Sequence, residues 1–209
     1  MEDSSDSFKL LNPDVSRETI IRLSRYRELI LSAKFNLISN NDKKNIWIRH
    51  FHDSIRAAKY IKNNKSIEIL DIGSGAGLPG IPISLCLKEK FIKFYLCESS
   101  QKKANFIKNC IEDLSIGNIE VIHSRVEDAK DLKFDYVVSR AVTKINELFS
   151  ISYHLIKKNT VFLLHKGIHI DTEIEIATKY WNFEYNLYEN DLEKGSYIFE
   201  AKNIIKSNT

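Results

Sequence analysis

The chain has 209 residues, 43% of them hydrophobic and 28% charged, with a formal net charge of +3. That suits one domain, or one domain with an added arm, able to bury a full core. No apolar run reaches the ~18 residues of a membrane span, and the polar opening MEDSSDS does not read as a signal peptide. Cys86, Cys97 and Cys110 lack metal-type spacing and sit in apolar segments, so they read as buried, reduced thiols of a cytoplasmic protein.

In chain order, residues 1–13 read as a disordered start closed by the turn pair Asn12-Pro13. Ser16 reads as the N-cap of a helix running to about residue 37. NIWIRHFHDSIRAAKYIKNN predicts further helical pieces, with Trp47, Phe51, Ile55, Ala58 and Ile61 inward. Six of the eight arginines (Arg17, Arg22, Arg25, Arg27, Arg49 and Arg56) lie in this part. The planar guanidinium grips phosphate, which suits an RNA-facing arm; a solvated helix face held by ion pairs accounts for them equally well. The expected division is a helical extension over 1–64 and a main domain over 65–209.

The stretch IEILDIGSGAGLPGIP, residues 67–82, holds four of the seven glycines and two of the three prolines. An apolar strand, a tight glycine loop and a helix form a nucleotide cradle, because glycine lets the backbone turn and approach a ligand closely. From Gly75 the loop reads Gly-x-Gly-x-x-Gly with Glu98 about twenty residues on, the dinucleotide pattern. From Asp71 it reads acid-x-Gly-x-Gly-x-Gly. S-adenosylmethionine carries an ammonium and a sulfonium but no phosphate, so a carboxylate at the strand end favours the methyl donor and would repel a pyrophosphate.

Beyond the loop, FIKFYLCES, NIEVIHS, FDYVVSR and TVFLLHK read as strands, alternating with helices over 100–114, about 145–157 and about 171–180. That alternation predicts an α/β fold with a parallel, doubly wound sheet. WNFEYNLYE and SYIFEAKNI then follow as two strands with no helix between them, which adds a C-terminal antiparallel hairpin. A doubly wound sheet ending this way is the arrangement of class I methyltransferases. The region after Ile170 tilts acidic (Asp171, Glu173, Glu175, Glu184, Glu189, Asp191, Glu193), so nucleic acid is expected to avoid that side.

The ligand is expected at the carboxyl ends of the first strands. Gly73, Gly75, Gly77 and Leu78 would hold the methionine part of the donor, beside Asp71. Glu98 offers two acceptor oxygens to two ribose hydroxyls, and Val126 and Glu127 follow the third strand where adenine would lie. Arg140 ends the strand DYVVS, placed to hold the donor's carboxylate or a substrate phosphate, and Lys166 is a second cationic point on the same rim. His50 and His52 are two residues apart, point away from each other on a helix, and predict no metal. Nothing forms a hydrolase triad.

Together these segments resemble a known family, the bacterial 16S ribosomal RNA methyltransferases first called glucose-inhibited division protein B, the methyltransferase G of the small subunit. The resemblance is carried by FNLIS, by IRHFHDSI with Arg49, His50, Asp53 and Ser54, and by DIGSGAGLPGIP. It continues through ESSQKKANFI, NIEVIHSRVED, FDYVVSRAV and HKG, with His165 where an aliphatic residue is more usual. It implies a class I methyltransferase domain with an N-terminal helical extension. It also implies methyl transfer from S-adenosylmethionine to nitrogen-7 of one guanine, guanosine 527 in the usual rRNA numbering, in 16S rRNA or the 30S subunit. The donor contacts it implies are Gly73, Leu78, Val126, Glu127 and Arg140, with Glu98 as the acid after the second strand; the C-terminal hairpin region matches weakly and inherits only the fold. Guanine nitrogen-7 has a free lone pair, so no general base is expected, and the weight falls on the positioning residues His50, Asp53, Arg140 and Lys166. A class I methyltransferase for another RNA or a small molecule is the alternative enzyme. A non-catalytic nucleotide- or RNA-binding module and an NAD-dependent oxidoreductase are the remaining readings.

Overall fold

A computed structural model describes residues 2–62, 66–87, 91–130 and 132–207. The strands are β1 (Ile67–Ile72), β2 (Ile92–Cys97), β3 (Ile119–Ile122), β4 (Phe134–Arg140), β5 (Ile156–Lys166), β6 (Trp181–Asn190) and β7 (Glu193–Lys206). They form one seven-stranded sheet in the order β3-β2-β1-β4-β5-β7-β6. β1 pairs in parallel with β2 on one side and β4 on the other, so the winding reverses there and opens a crevice at the strands' carboxyl ends. β7 returns antiparallel to β5 and pairs with β6 as the expected hairpin, though the two strands run closer to the turn than the segments WNFEYNLYE and SYIFEAKNI imply, with Asn190 paired to Glu193.

β1 is buried on both faces, as a central parallel strand must be. One face of the sheet (Ile69, Phe94, Leu96, Val138, Leu163) packs in one core with residues of the N-terminal arm, of α4 (Gly80–Cys86) and of α5 (Gln101–Asp113). The other face (Leu70, Ile72, Val137, Phe162, Leu164) packs under α6 (Ile145–Ser152) and α7 (Ile170–Thr178). The expected helix over 145–157 is shorter than its apolar pattern implied: a 3₁₀ turn (Tyr153–Leu155) ends it and β5 begins at Ile156. The last residue of the helix expected after the glycine loop, and the expected boundary between extension and domain, lie outside the described residues.

The N-terminal arm corrects one expectation. Residues 2–13, expected as part of a disordered start, are ordered: α1 (Ser5–Leu11) is a helix whose N-cap Ser4 accepts from Ser7 N. Phe8 is fully buried and meets the Trp47 ring at 5.5 Å, a long-range contact that a polar local sequence does not announce. α2 (Arg17–Ser32) starts at its expected cap, Ser16, and stops short of residue 37. From it the Tyr26 hydroxyl donates to Ala76 O, fastening the arm to the glycine loop. The chain then runs through a wide, π-type helical turn (Ile46–His52) into α3 (Asp53–Arg56).

The arm's arginines serve the fold more than the surface. Arg25 forks onto Asp113 at 2.8 Å, Arg22 donates to Leu114 O, Arg49 pairs with Asp42 at 2.7 Å, and Arg56 pairs with Asp53 at 2.9 Å. This favours the ion-paired face over a row of cations held out for phosphate.

Candidate active site

The glycine loop leaves β1 and is tied to β2, with Gly73 N and Ser74 N donating to Cys97 O at 2.9 and 3.1 Å. Gly73 and Gly77 sit at φ +67° and +93°, the left-handed region that side chains resist. Neither has room for a Cβ. At Gly73 it would stand 2.5 Å from Val142 Cγ2, and at Gly77 2.5 Å from Ile81 Cδ1 and 3.0 Å from the Tyr26 hydroxyl. Gly77 thus serves the packing of loop, helix and arm, with Leu78 buried beside it, whereas Gly73 lies in the crevice beneath Val142.

Two carboxylates hold this loop. Asp71 is fully buried; its Oδ2 accepts from Gly80 N at 3.0 Å and its Oδ1 has no partner. Burial pushes the Asp71 carboxyl up to about 7, against the opposing pull of the Gly80 N–H. It braces the loop from below and does not line its open face. Glu98 accepts from Gly75 N at 2.9 Å and from Ser100 N at 2.8 Å, one bond to each oxygen. A carboxylate has about four lone-pair sites, so both oxygens keep capacity for a second donor.

The residues named from the sequence fall around two neighbouring cavities. The smaller, about 130 Å³, is lined by Gly73, Glu98, Val126, Glu127, Val142 and Ile151, among others. The larger, about 850 Å³, is lined by His50, Asp53, Arg140, His165, Lys166 and Glu173, among others, and again by Val142. Asp71, Gly75, Gly77 and Leu78 line neither. The apolar walls and the half-engaged carboxylate of the smaller cavity, with the close backbone at Gly73, fit a nucleoside bearing vicinal hydroxyls. S-adenosylmethionine is such a ligand.

Arg140 is the hub of the larger cavity. It donates to Arg49 O at 3.0 Å, to Asp53 Oδ2 at 3.4 Å and to His50 Nδ1. The guanidinium cannot accept, so His50 must be unprotonated at Nδ1. Burial, then the charge of Arg140, lowers the His50 pKa to about 4, and the ring is neutral near pH 7. His165 Nε2 contacts Asp53 O at 2.9 Å, which makes it the donor, and burial lowers its pKa too. Burial works against ionising Asp53, but His165 once it is protonated in acid, and Arg140 and Arg56 at any pH, hold its carboxyl below the ordinary value. His52 turns away to Asn12 Oδ1 at 3.1 Å, so the two histidines do point apart. No group of metal-ligating side chains occurs among the described residues.

Lys166 stands on the rim as expected, yet it is not a loose cation. Its Nζ donates to Thr143 O and to Glu173 Oε2, both at 2.7 Å. Glu173 was expected on an acidic outer face. It instead turns inward from α7 and also accepts from Ile145 N at 3.0 Å. A lysine at the end of a buried strand needs a nearby countercharge, and that need was the available signal. Val142 carried no signal at all: only the fold brings it over Gly73.

A profile of the family described as GidB, rRNA small subunit methyltransferase G, matches residues 20–194. A ribosomal RNA small subunit methyltransferase G of Oenococcus oeni is 35% identical over 173 residues, 79% of this chain and 71% of that protein. One of Bartonella tribocorum is 34% identical over 197 residues, 92% and 91% of the two chains. Among solved structures, a SAM-dependent methyltransferase from Aquifex aeolicus superposes with a TM-score of 0.59 at 16% identity, over 80% of this chain and 99% of that one. An O-methyltransferase from Bacillus cereus in complex with SAH gives 0.58 at 14%, over 90% and 91%. These two establish the class I methyltransferase fold alone. The family profile and the curated relatives go further: the chain belongs to the GidB family, the rRNA small subunit methyltransferase G.

Proposed function

We propose that this chain transfers the methyl group of S-adenosylmethionine to nitrogen-7 of a guanine in 16S rRNA, guanosine 527 in the usual numbering, as naked rRNA or in the 30S subunit. No helix among the described residues is long and apolar enough to cross a membrane, and work on ribosomal RNA belongs in the cytoplasm. In this reading Glu98 takes the ribose hydroxyls, Val126 and Glu127 border adenine, and Gly73, Gly75, Gly77 and Leu78 shape the loop beside the methionine part. The donor supplies an electrophilic methyl on a sulfonium. The protein's task is to hold that methyl in line with the ring nitrogen and exclude water.

One observation carries the choice of nitrogen-7. The polar groups nearest Arg140 are engaged with one another: His50 Nδ1 with Arg140, the His165 N–H with Asp53 O, and the Asp53 carboxylate with Arg56 and Arg140. Around Arg140 the cavity therefore offers fixed hydrogen-bond donors, which suits a nucleophile that has no proton to lose. Arg140 uses three of its five N–H groups inside the protein, leaving two for a ligand acceptor. Guanine O6 or the donor's carboxylate would take them.

The test is methyl transfer from tritiated donor to 16S rRNA and to 30S subunits that lack this methylation, followed by mapping of the labelled nucleotide. Label confined to nitrogen-7 of guanosine 527 is expected. Label elsewhere would replace the target and keep the methyltransferase. Arg140→Ala should abolish transfer while the protein stays folded, because Arg56 remains to neutralise Asp53. Undiminished turnover would remove Arg140 from the site.

A further inference from the structure

We propose that Glu173 is a positioning residue of the methyl-transfer site, holding the segment 141–145 so that Val142 stands between the two cavities. The proposal rests on the methyltransferase reading above. Two hydrogen bonds grip this segment, Lys166 Nζ to Thr143 O at 2.7 Å and Ile145 N to Glu173 Oε2 at 3.0 Å, and a third, Lys166 Nζ to Glu173 Oε2 at 2.7 Å, joins the two holders. The ion pair is largely buried, with 9% and 18% of the two side chains exposed, so each charge depends chiefly on the other.

What the pair holds is Val142. This side chain lines both cavities and covers Gly73 so closely that a Cβ there would lie 2.5 Å from its Cγ2. The residue before it, Ala141, sits at φ +54°, a conformation a non-glycine residue keeps only when its surroundings impose it. The Lys166–Glu173 clamp a few residues on is such a constraint. The smaller cavity, about 130 Å³, lies well below the several hundred Å³ of an ordinary ligand pocket. A donor spanning from Glu98 to Arg140 must therefore displace Val142, and Val142 then borders the opening through which the methyl meets the base. Where the clamp sets the segment decides how well that opening is aligned.

The experiment uses the full chain with three variants, reading S-adenosylhomocysteine exchange by stopped-flow, kcat and donor KM with 16S rRNA or 30S subunits, and Tm. Glu173→Ala should lower kcat about tenfold or more, as misplacement of reacting groups does, and speed both binding and release of S-adenosylhomocysteine. Glu173→Gln keeps an acceptor for Ile145 N and Lys166, and should recover kcat to within about threefold of the parent. Val142→Ala leaves the charge pair intact and should speed exchange about fivefold with no loss of Tm, since it trims only the gate. A purely structural Glu173 would lower Tm alike in the alanine and glutamine variants and leave exchange and kcat per folded molecule unchanged; that result, or unchanged exchange in Val142→Ala, overturns the proposal. Absence of S-adenosylhomocysteine binding by the parent protein would instead bring down the methyltransferase reading on which it rests.

Discussion

Asp71→Asn tests the claim that the first acid of the loop motif is a buried brace. In the folded protein burial pushes this carboxyl from 3.8 up to about 7, with Arg140 acting to lower it and Glu98 to raise it. Between those two values the unfolded chain has lost the proton and the folded chain still holds it. The folded state then binds more protons, so the Asp71 contribution to stability falls as pH rises from about 4 to about 7 and stays low above that. Each tenfold change in proton affinity is worth about 1.4 kcal/mol, so the loss is on the order of 4 kcal/mol. Asparagine keeps an oxygen for Gly80 N and cannot ionise. It carries a constant penalty for an NH₂ group beside the site where Oδ1 now lacks a partner, of about 1–3 kcal/mol. Thermal melts of parent and variant across pH 4 to 8 should therefore converge or cross. The variant should gain on the parent by on the order of 10 °C over that range, at about 2–4 °C per kcal/mol for a chain of this size. Two curves that stay parallel would refute the reasoning and return Asp71 to an exposed, ionised role beside the donor.

Gly77→Ala, with φ +93° and Ile81 Cδ1 in the path of its Cβ, should cost about 1–3 kcal/mol from backbone strain alone, read as a lower urea midpoint at unchanged slope. Gly73→Ala, at φ +67° with Val142 Cγ2 in the path of its Cβ, should carry a similar strain cost and in addition weaken S-adenosylhomocysteine binding measured by calorimetry. Phe8→Ala empties a fully buried ring site in α1 and should cost about 3–5 kcal/mol; no change in Tm would mean that the first helix does not dock.

How much of this was legible beforehand follows from the range of the interactions involved. The sheet was readable because buried parallel strands are continuous apolar runs, and β4 matches FDYVVSR residue for residue. The glycine loop, Glu98 and Arg140 were readable because strand ends at a switch point are where ligands bind. α1 was not, since its warrant is one contact between Phe8 and Trp47 across the chain. The Lys166–Glu173 clamp spans only seven residues, but knowing that α7 turns that carboxylate back toward the strand end requires the fold. Asp71 is employed differently from its motif reading: a carboxylate that looks like a ligand in the motif is spent on Gly80 N.

The charges of the larger cavity give the same lesson a chemical use. Read as letters, Arg49, His50, Arg140, Lys144, His165, Lys166 and Lys194 make a strongly cationic lining, with Arg56 behind it. The proposed methylation at nitrogen-7 would carry a positive charge from the sulfonium onto the base, and a cationic pocket would oppose its arrival. The structure removes the difficulty term by term. Arg140 and Arg56 share Asp53, Lys166 has Glu173, Arg49 has Asp42, Glu147 and Glu193 line the cavity along with Lys144 and Lys194, and burial keeps His50 and His165 uncharged. What remains is a set of fixed hydrogen-bond donors in a nearly balanced field, able to orient a base and accept the charge it acquires.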